Sequence, residues 1–309
     1  MNQTSSQIEE ISTFKLMWQL TRPHTLTATF SPVILGTVLA LFDIKINWLL
    51  FIAMFVCCLC LQIATNLFNE YYDFKRGLDT AESIGIGGAL VRHGTKPSTI
   101  LNFALILYAL AVVIGVYICM ESSWWLVVIG LIGMAIGYFY TGGPYPIAYT
   151  PFGELFAGLS MGFAFVLISY YIQTGDISLT SVLVSVPLGI LVGGINMANN
   201  IRDIKEDTKG GRKTLAILAG REKAINILGW SFIVSYLWMI VLILCGIVSP
   251  WLLVVLISVP KPIKAIKSFK EAESNPPKLG LAMKSTALTN TLYGLLSSVG
   301  LLLSYITGY

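Results

Sequence analysis

Charge is scarce in this sequence. Only 12% of its 309 residues are Asp, Glu, Lys or Arg, whereas 55% are hydrophobic. A soluble domain carries about 25% charged residues, so this chain has too little polar surface to face water all round, and its mean hydropathy of +0.76 agrees. The net charge of +4 gives no reason to expect a nucleic-acid partner. The five cysteines, Cys57, Cys58, Cys60, Cys119 and Cys245, lie in apolar runs, form no CxxC pair and have no histidine nearby. That excludes a zinc site and a disulfide framework and leaves them as small apolar packers. The two histidines, His24 and His93, are too far apart in sequence to make a metal-ligand motif. No apolar core follows the polar opening MNQTSSQIEE before residue 20, so no cleavable signal peptide is expected.

Long apolar runs are abundant. About twenty apolar residues cross a bilayer as a helix, whereas an outer-membrane strand needs about ten of alternating pattern. The pattern predicts an all-α polytopic membrane protein with nine spans, near 25–43, 46–68, 101–120, 123–140, 152–173, 179–200, 224–246, 249–266 and 286–307. The eighth is weak. Its apolar part, WLLVVLISV, is about half a span long, and Pro260, Pro262 and three lysines follow. Residues 1–309 read as a single domain with a polar N-terminal segment over 1–20.

Basic residues set orientation. With the N-terminus in the cytoplasm, 19 of the 20 Lys and Arg residues fall inside, and only Lys45 falls outside. Two long inner loops, 69–100 and 201–223, hold much of the charge. The C-terminus is expected outside and the working surface in the cytoplasm.

A repeat ties those loops together. NLFNEYYDFKRGLD starts at Asn66 and NMANNIRDIKEDTKGG at Asn196. At an offset of 130 residues, Asn66 matches Asn196, Asn69 matches Asn199, Asp73 matches Asp203 and Lys75 matches Lys205. Four spans separate the copies, which points to a parallel four-helix duplication with one helix added, 4+4+1. Residues three or four apart share a helix face. Gln62, Asn66, Asn69 or Glu70, and Asp73 therefore make one polar stripe, and Asn196, Asn199 or Asn200, Asp203 and Asp207 another. Polar groups at membrane depth mark a cavity or ligand path; the alternative is hydrogen-bond glue between helices. Asp203 and Asp207 are one turn apart, so both can face one ion. Hard oxygen donors of this kind suit Mg²⁺, which bridges to phosphate oxygens. Lys75, Arg92, Lys205, Arg212 and Lys213 are placed to meet the remaining phosphate charge.

At these residues the sequence resembles the UbiA-type intramembrane prenyltransferases, over nearly the whole chain. The family motif D-x-x-x-D is intact as Asp203 and Asp207. In the first motif, N-D-x-x-D-x-x-x-D, Asn69 and Asp73 match, Glu70 replaces an aspartate, and Gly77 stands at the last position, with Asp79 two residues on as its substitute. The strings LTRPHTLTATFSPV, GIGGALVRHG and YTGGPYPIAYTPFGE carry the likeness further, toward family members that prenylate 1,4-dihydroxy-2-naphthoate. The resemblance implies nine helices around a central cavity and a polyprenyl diphosphate held through Mg²⁺ by Asn69, Asp73, Asp79, Asn199, Asp203 and Asp207. Asp73, Asp203, Asp207 and Tyr140 are the expected catalytic residues, Tyr140 because an aromatic face can stabilise an allylic cation. The implied acceptor is 1,4-dihydroxy-2-naphthoate, with Arg22, His24, Tyr140 and Tyr145 expected to bind it, and no obligate protein partner. A secondary transporter, the competing class, also has repeats and polar midplane sites, but here no charged residue sits clearly at mid-depth. The D-G-x-x-A-R signature of CDP-alcohol phosphotransferases is absent.

Overall fold

The computed structural model describes residues 18–23, 25–78, 90–91, 94–273, 275 and 277–309. His24, Asp79, Glu82, Arg92 and His93 lie outside the described residues. Among the described residues the chain is entirely helix and turn. That is what a bilayer demands of a chain without a closed barrel, because each backbone N–H and C=O must be satisfied within its own segment.

We number the helices α1 Thr27–Ala40, α2 Trp48–Lys75, α3 Pro97–Glu121, α4 Leu126–Phe139, α5 Gly153–Thr174, α6 Leu179–Lys209, a short α7 Leu215–Ala219, α8 Arg221–Leu244, α9 Pro260–Glu271 and α10 Lys278–Thr307. Six of them, α2, α3, α5, α6, α8 and α10, are long and apolar enough to cross a membrane, and α1 and α4 are shorter apolar helices. With the segment at 250–271 and apart from the short α7, the described residues hold nine longer helical segments at the positions of the nine expected spans, six of them long enough to cross.

The weak eighth segment departs from a plain helix. Pro250–Ser258 is a 3₁₀ helix, and α9 begins at Pro260. Pro260 has no N–H to carry an α ladder across the join. The 3₁₀ form rises about 2.0 Å per residue against 1.5 Å for an α-helix, so its few residues reach further through the bilayer. The amphipathic α9 then buries Pro262, Ala265, Ser268 and Phe269. Arg221 anchors it by donating to the Phe269 carbonyl at 3.1 Å and to the Ile201 carbonyl at 3.3 Å.

Side chains set the other ends. Asn47 caps α2 by accepting from the Leu49 and Leu50 amides. Its own backbone is held by Gln173 at the end of α5, accepting from Asn47 N at 2.9 Å and donating to Asn47 O at 3.0 Å. Ser178 caps α6 through the Ser181 amide. Midway along α5, Gly158–Phe163 forms a π-helical turn, a feature found mostly at functional sites. There α5 and α6 lie backbone to backbone: a Cβ on Gly158 would stand 2.4 Å from the Gly189 carbonyl oxygen, and one on Gly162 2.4 Å from that of Leu188. Only glycine fits such an approach. The result places the repeat-bearing ends of α2 and α6 on either side of the α4–α5 loop.

Candidate active site

The two repeat copies meet on one arginine. Helix α6 ends at Lys209, and Gly210 and Gly211 turn the chain back, with Gly211 at φ 75°, a region where glycine is unstrained. The turn is closed by the Arg212 amide donating to the Asp207 carbonyl at 3.0 Å. The Arg212 side chain thereby lies over both motifs. It donates to Asp207 Oδ1 at 2.9 Å and to Asp73 Oδ1 at 2.6 Å. Arg212 is only 12% exposed and Asp207 8%. Burial opposes the arginine's charge, but Asp73 and Asp207 outweigh it and hold its pKa above the usual value.

The loop after α4 joins the copies a second time, through their asparagines. The Tyr140 hydroxyl donates to Asn196 Oδ1 at 2.8 Å, and the neighbouring Thr141 hydroxyl donates to Asn69 Oδ1 at 2.8 Å. Arg76 fixes the same loop by donating to the carbonyls of Thr141 and, at 2.8 Å, Gly143. Its guanidinium stands 5.3 Å from the Tyr149 ring centre, while that of Arg212 stands 5.2 Å from the same ring. Two cations thus pack on one tyrosine. The Tyr149 carbonyl accepts from the Lys213 amide at 3.0 Å, tying the loop to the turn after α6.

Below this polar cluster lies a cavity of about 490 Å³ bounded by residues of α1 to α6. Its polar lining includes Arg22, Asn69, Tyr140, Asn196 and Asn199. Most of the remaining wall is apolar, from Met54, Ile118 and Leu126 to Phe156 and, on the π-helical turn, Met161. On α3 and α4, Gly115, Gly130 and Gly133 also line the cavity, and a Cβ added at any of them would meet nothing within 4 Å. A charged head against Asp73, Asp207 and the arginines, with a long apolar tail among the helices, fits this shape.

Some expected residues gather here and others do not. Asn69, Asp73, Tyr140, Asn199, Asp207 and Arg212 belong to the cluster or to the cavity lining. Asp203 is paired with its neighbour Arg202, whose Nε and Nη2 each donate to the carboxylate at 2.6 Å. Asn66 also lines the cavity, but its amide acts as glue, donating to the Thr21 carbonyl at 3.0 Å and to the Thr25 hydroxyl at 3.1 Å. Glu70, where the family motif has an aspartate, is 1% exposed. It accepts from the Leu90 amide at 3.3 Å, and its other oxygen lies 3.7 Å from Arg22. Lys75 is exposed, with its ammonium 5.9 Å from the Tyr71 ring centre. Lys205 and Lys213 are also exposed. Tyr145 is 90% exposed and does not line the cavity. Arg76 and Thr141 belong to the cluster, although the motifs did not single them out. Their signal was position: Arg76 adjoins Lys75 at the motif's end and Thr141 follows Tyr140.

The donor set suits a divalent ion brought in with a phosphate. Among the described residues, no three His, Cys, Asp or Glu side chains converge to hold an ion on their own. Asp207 Oδ2 is buried without a hydrogen-bond partner, as is Asn196 Nδ2 on the cavity wall. Mg²⁺ is commonly held by one or two carboxylates and substrate phosphates, with waters completing its shell, so an unpartnered carboxylate oxygen beside Asp73 fits that mode.

Residues 29–284 match the model of the UbiA prenyltransferase family. The chain is 63% identical to 1,4-dihydroxy-2-naphthoate octaprenyltransferase of Bacillus subtilis, over 98% of this chain and 96% of the relative. In structure it is similar to a UbiA homolog from Aeropyrum pernix K1, with TM-score 0.63, 16% identity and coverage of 92% of this chain and 98% of the other. It is also similar to a UbiA homolog from Archaeoglobus fulgidus bound to DMAPP and Mg²⁺, with TM-score 0.60, 15% identity and coverage of 94% and 98%.

Proposed function

The chain belongs to the UbiA prenyltransferase family, and we propose that it transfers a polyprenyl group from a polyprenyl diphosphate to 1,4-dihydroxy-2-naphthoate, with loss of the acceptor's carboxyl group as CO₂. The observation that carries the reaction class is the meeting of Asp73 and Asp207 on Arg212 above an apolar cavity. The choice of acceptor is supported by the near full-length likeness to the Bacillus subtilis relative.

The diphosphate is read as binding at Asn69, Asp73, Asn199 and Asp207, and these residues would hold Mg²⁺ together with its phosphate oxygens; Asp203, once released from Arg202, and Asp79 belong to the same proposal. When bound, the ion supplies Lewis-acid neutralisation of the leaving diphosphate. Arg212, with the exposed Lys75, Lys205 and Lys213 and with Arg92, meets the remaining negative charge. Such preorganised charge is usually the largest contribution to catalysis. Arg76 holds the loop that aims Tyr140.

The reaction balances without a net proton. The allylic C–O bond breaks and its electron pair leaves with the diphosphate. The ring carbon bearing the carboxylate gives a pair to the allylic carbon. The bond to the carboxylate then breaks, its pair restores the aromatic ring, and CO₂ departs. The two ring hydroxyls make that carbon electron-rich, so the chain has no need of a strong base. What it must do is keep water away from an allylic cation, and the apolar wall serves that end. Tyr140 lines the cavity beside Asn196 and Asn199, where its ring can face the cation. Arg22, which also lines the cavity, is the described cation best placed to hold the acceptor carboxylate, and His24 and Tyr145 remain part of the acceptor proposal.

The protein is a multi-pass membrane protein, and the distribution of Lys and Arg supports an active site facing the cytoplasm, with the N-terminus inside and the C-terminus outside. Residues 1–309 are read as one domain. The test is release of labelled CO₂ from carboxyl-labelled acceptor by purified protein in detergent, where a transporter has no gradient to act on. Release matching prenylated product one to one is expected; unlabelled headspace with an unchanged acceptor would overturn the proposal.

A further inference from the structure

Arg212 sits where two carboxylates converge. Asp73 and Asp207 belong to different copies of the repeat, and one guanidinium gives a charge-assisted hydrogen bond to each, at 2.6 and 2.9 Å. Arg212 and Asp207 are largely buried. Leaving a buried and a half-buried carboxylate facing each other without a cation is costly, because like charges in a poorly solvated site repel and Asp207 has little water to replace its partner. Yet the triad is not closed on itself. Asp207 Oδ2 and Arg212 Nε are both buried with no hydrogen-bond partner, so each charged group keeps one position for something else.

Resting on the reading of this site given above, we propose that Arg212 is an internal stand-in for the divalent ion, which occupies the carboxylates in the resting enzyme and yields them only when a diphosphate arrives to receive the guanidinium. A divalent ion entering alone would have to take over two carboxylates that already hold strong hydrogen bonds, and would leave a buried guanidinium with none. A diphosphate removes that obstacle, because its oxygens accept the same fork of N–H donors. The Tyr149 ring centre lies 5.2 Å from the guanidinium carbon and 5.3 Å from that of Arg76, itself bound to the Thr141 and Gly143 carbonyls. Arg212 therefore has a stacking surface on which to turn without leaving the site. The consequence is coupled binding: metal alone binds weakly, so the aspartates are kept from holding an ion with no substrate to activate.

The experiment is a titration of purified protein in detergent with Mn²⁺ alone, the free ion being counted by electron paramagnetic resonance. In the wild type, Mn²⁺ binding at this site is expected to be weak. In Arg212→Gln, which keeps a hydrogen-bonding side chain and removes the charge, it tightens about tenfold or more, as expected when a charged competitor is removed. The double variant Asp73→Asn with Arg212→Gln loses that gain, which assigns it to these carboxylates. If Arg212→Gln does not fold, Arg212→Lys serves instead: a compact ammonium cannot fork to both carboxylates, so an intermediate tightening is expected. Equal affinity in the wild type and the folded Arg212 variant, or weaker binding in the variant, overturns the proposal. Product formation by the wild type is a separate readout. Normal turnover with unchanged Mn²⁺ affinity would reject the stand-in and keep prenyl transfer, whereas a wild type that makes no product would reject prenyl transfer whatever Mn²⁺ does.

Discussion

Asp73 and Asp207 share a single guanidinium: Arg212 donates to one at 2.6 Å and to the other at 2.9 Å. The two aspartates come from opposite halves of an internal repeat. The link makes the two halves one site and bears directly on the first prediction.

Asp73→Asn and Asp203→Asn are each expected to lower turnover by about 10² to 10³-fold, the scale for removing one preorganised charge contact. Both variants should elute as the wild type does in size-exclusion chromatography, since neither side chain packs in the apolar core. Near-normal product formation by either folded variant would remove it from the set of ion-holding residues.

Excess EDTA is expected to stop turnover, and added Mg²⁺ or Mn²⁺ to restore it, because a hard-oxygen donor set accepts either ion. Product yield measured before and after chelation checks this. An undiminished rate in EDTA would contradict the Lewis-acid step.

Tyr140→Phe and Tyr140→Ala separate two roles of one side chain. The phenylalanine keeps the ring and loses the bond to Asn196, so a modest loss of a few-fold is expected, in line with one hydrogen bond of about 1 kcal/mol. The alanine also loses the ring and should fall roughly thirtyfold further, the cation–π contribution at a desolvated site being about 2 kcal/mol. Equal activity in the two variants would show that the ring does not face the cation.

Gly158→Leu tests the fold instead of the chemistry. Its first side-chain atom would stand 2.4 Å from the Gly189 carbonyl oxygen, so α5 and α6 must separate. A destabilisation of about 1–3 kcal/mol is expected for such overpacking, read as a lower melting temperature in detergent. An unchanged melting temperature would show that the helices slide apart at little cost.

Local pattern reached much of this architecture. Six of the expected spans coincide with helices long and apolar enough to cross a membrane, and Asn69, Asp73 and Asp207, which meet at the loop after α4 and at Arg212, stand out because they lie in repeated segments at helix ends. Pairing was not legible. Asn66 and Asn69 share a stripe and both line the cavity, yet Asn66 ties down the turn before α1 while Asn69 accepts from Thr141; the difference depends on which segment lies opposite. Arg76 reads in sequence as one more basic residue at the inner end of a span, and only the folded α4–α5 loop reveals that it anchors Thr141 and Gly143. Glu70 looks like a replaced metal ligand, but its carboxylate lies against Arg22 and the Leu90 amide. The 3₁₀ form of Pro250–Ser258 escaped a reading that assumed 1.5 Å per residue.

The most direct test of the central claim is a competition. Purified protein receives equal 1,4-dihydroxy-2-naphthoate and 4-hydroxybenzoate with one polyprenyl diphosphate, and the products are identified by mass spectrometry. The account predicts a prenylated naphthalenediol that has lost CO₂ as the dominant product. A dominant prenylated 4-hydroxybenzoate, with its carboxyl group retained, would contradict it.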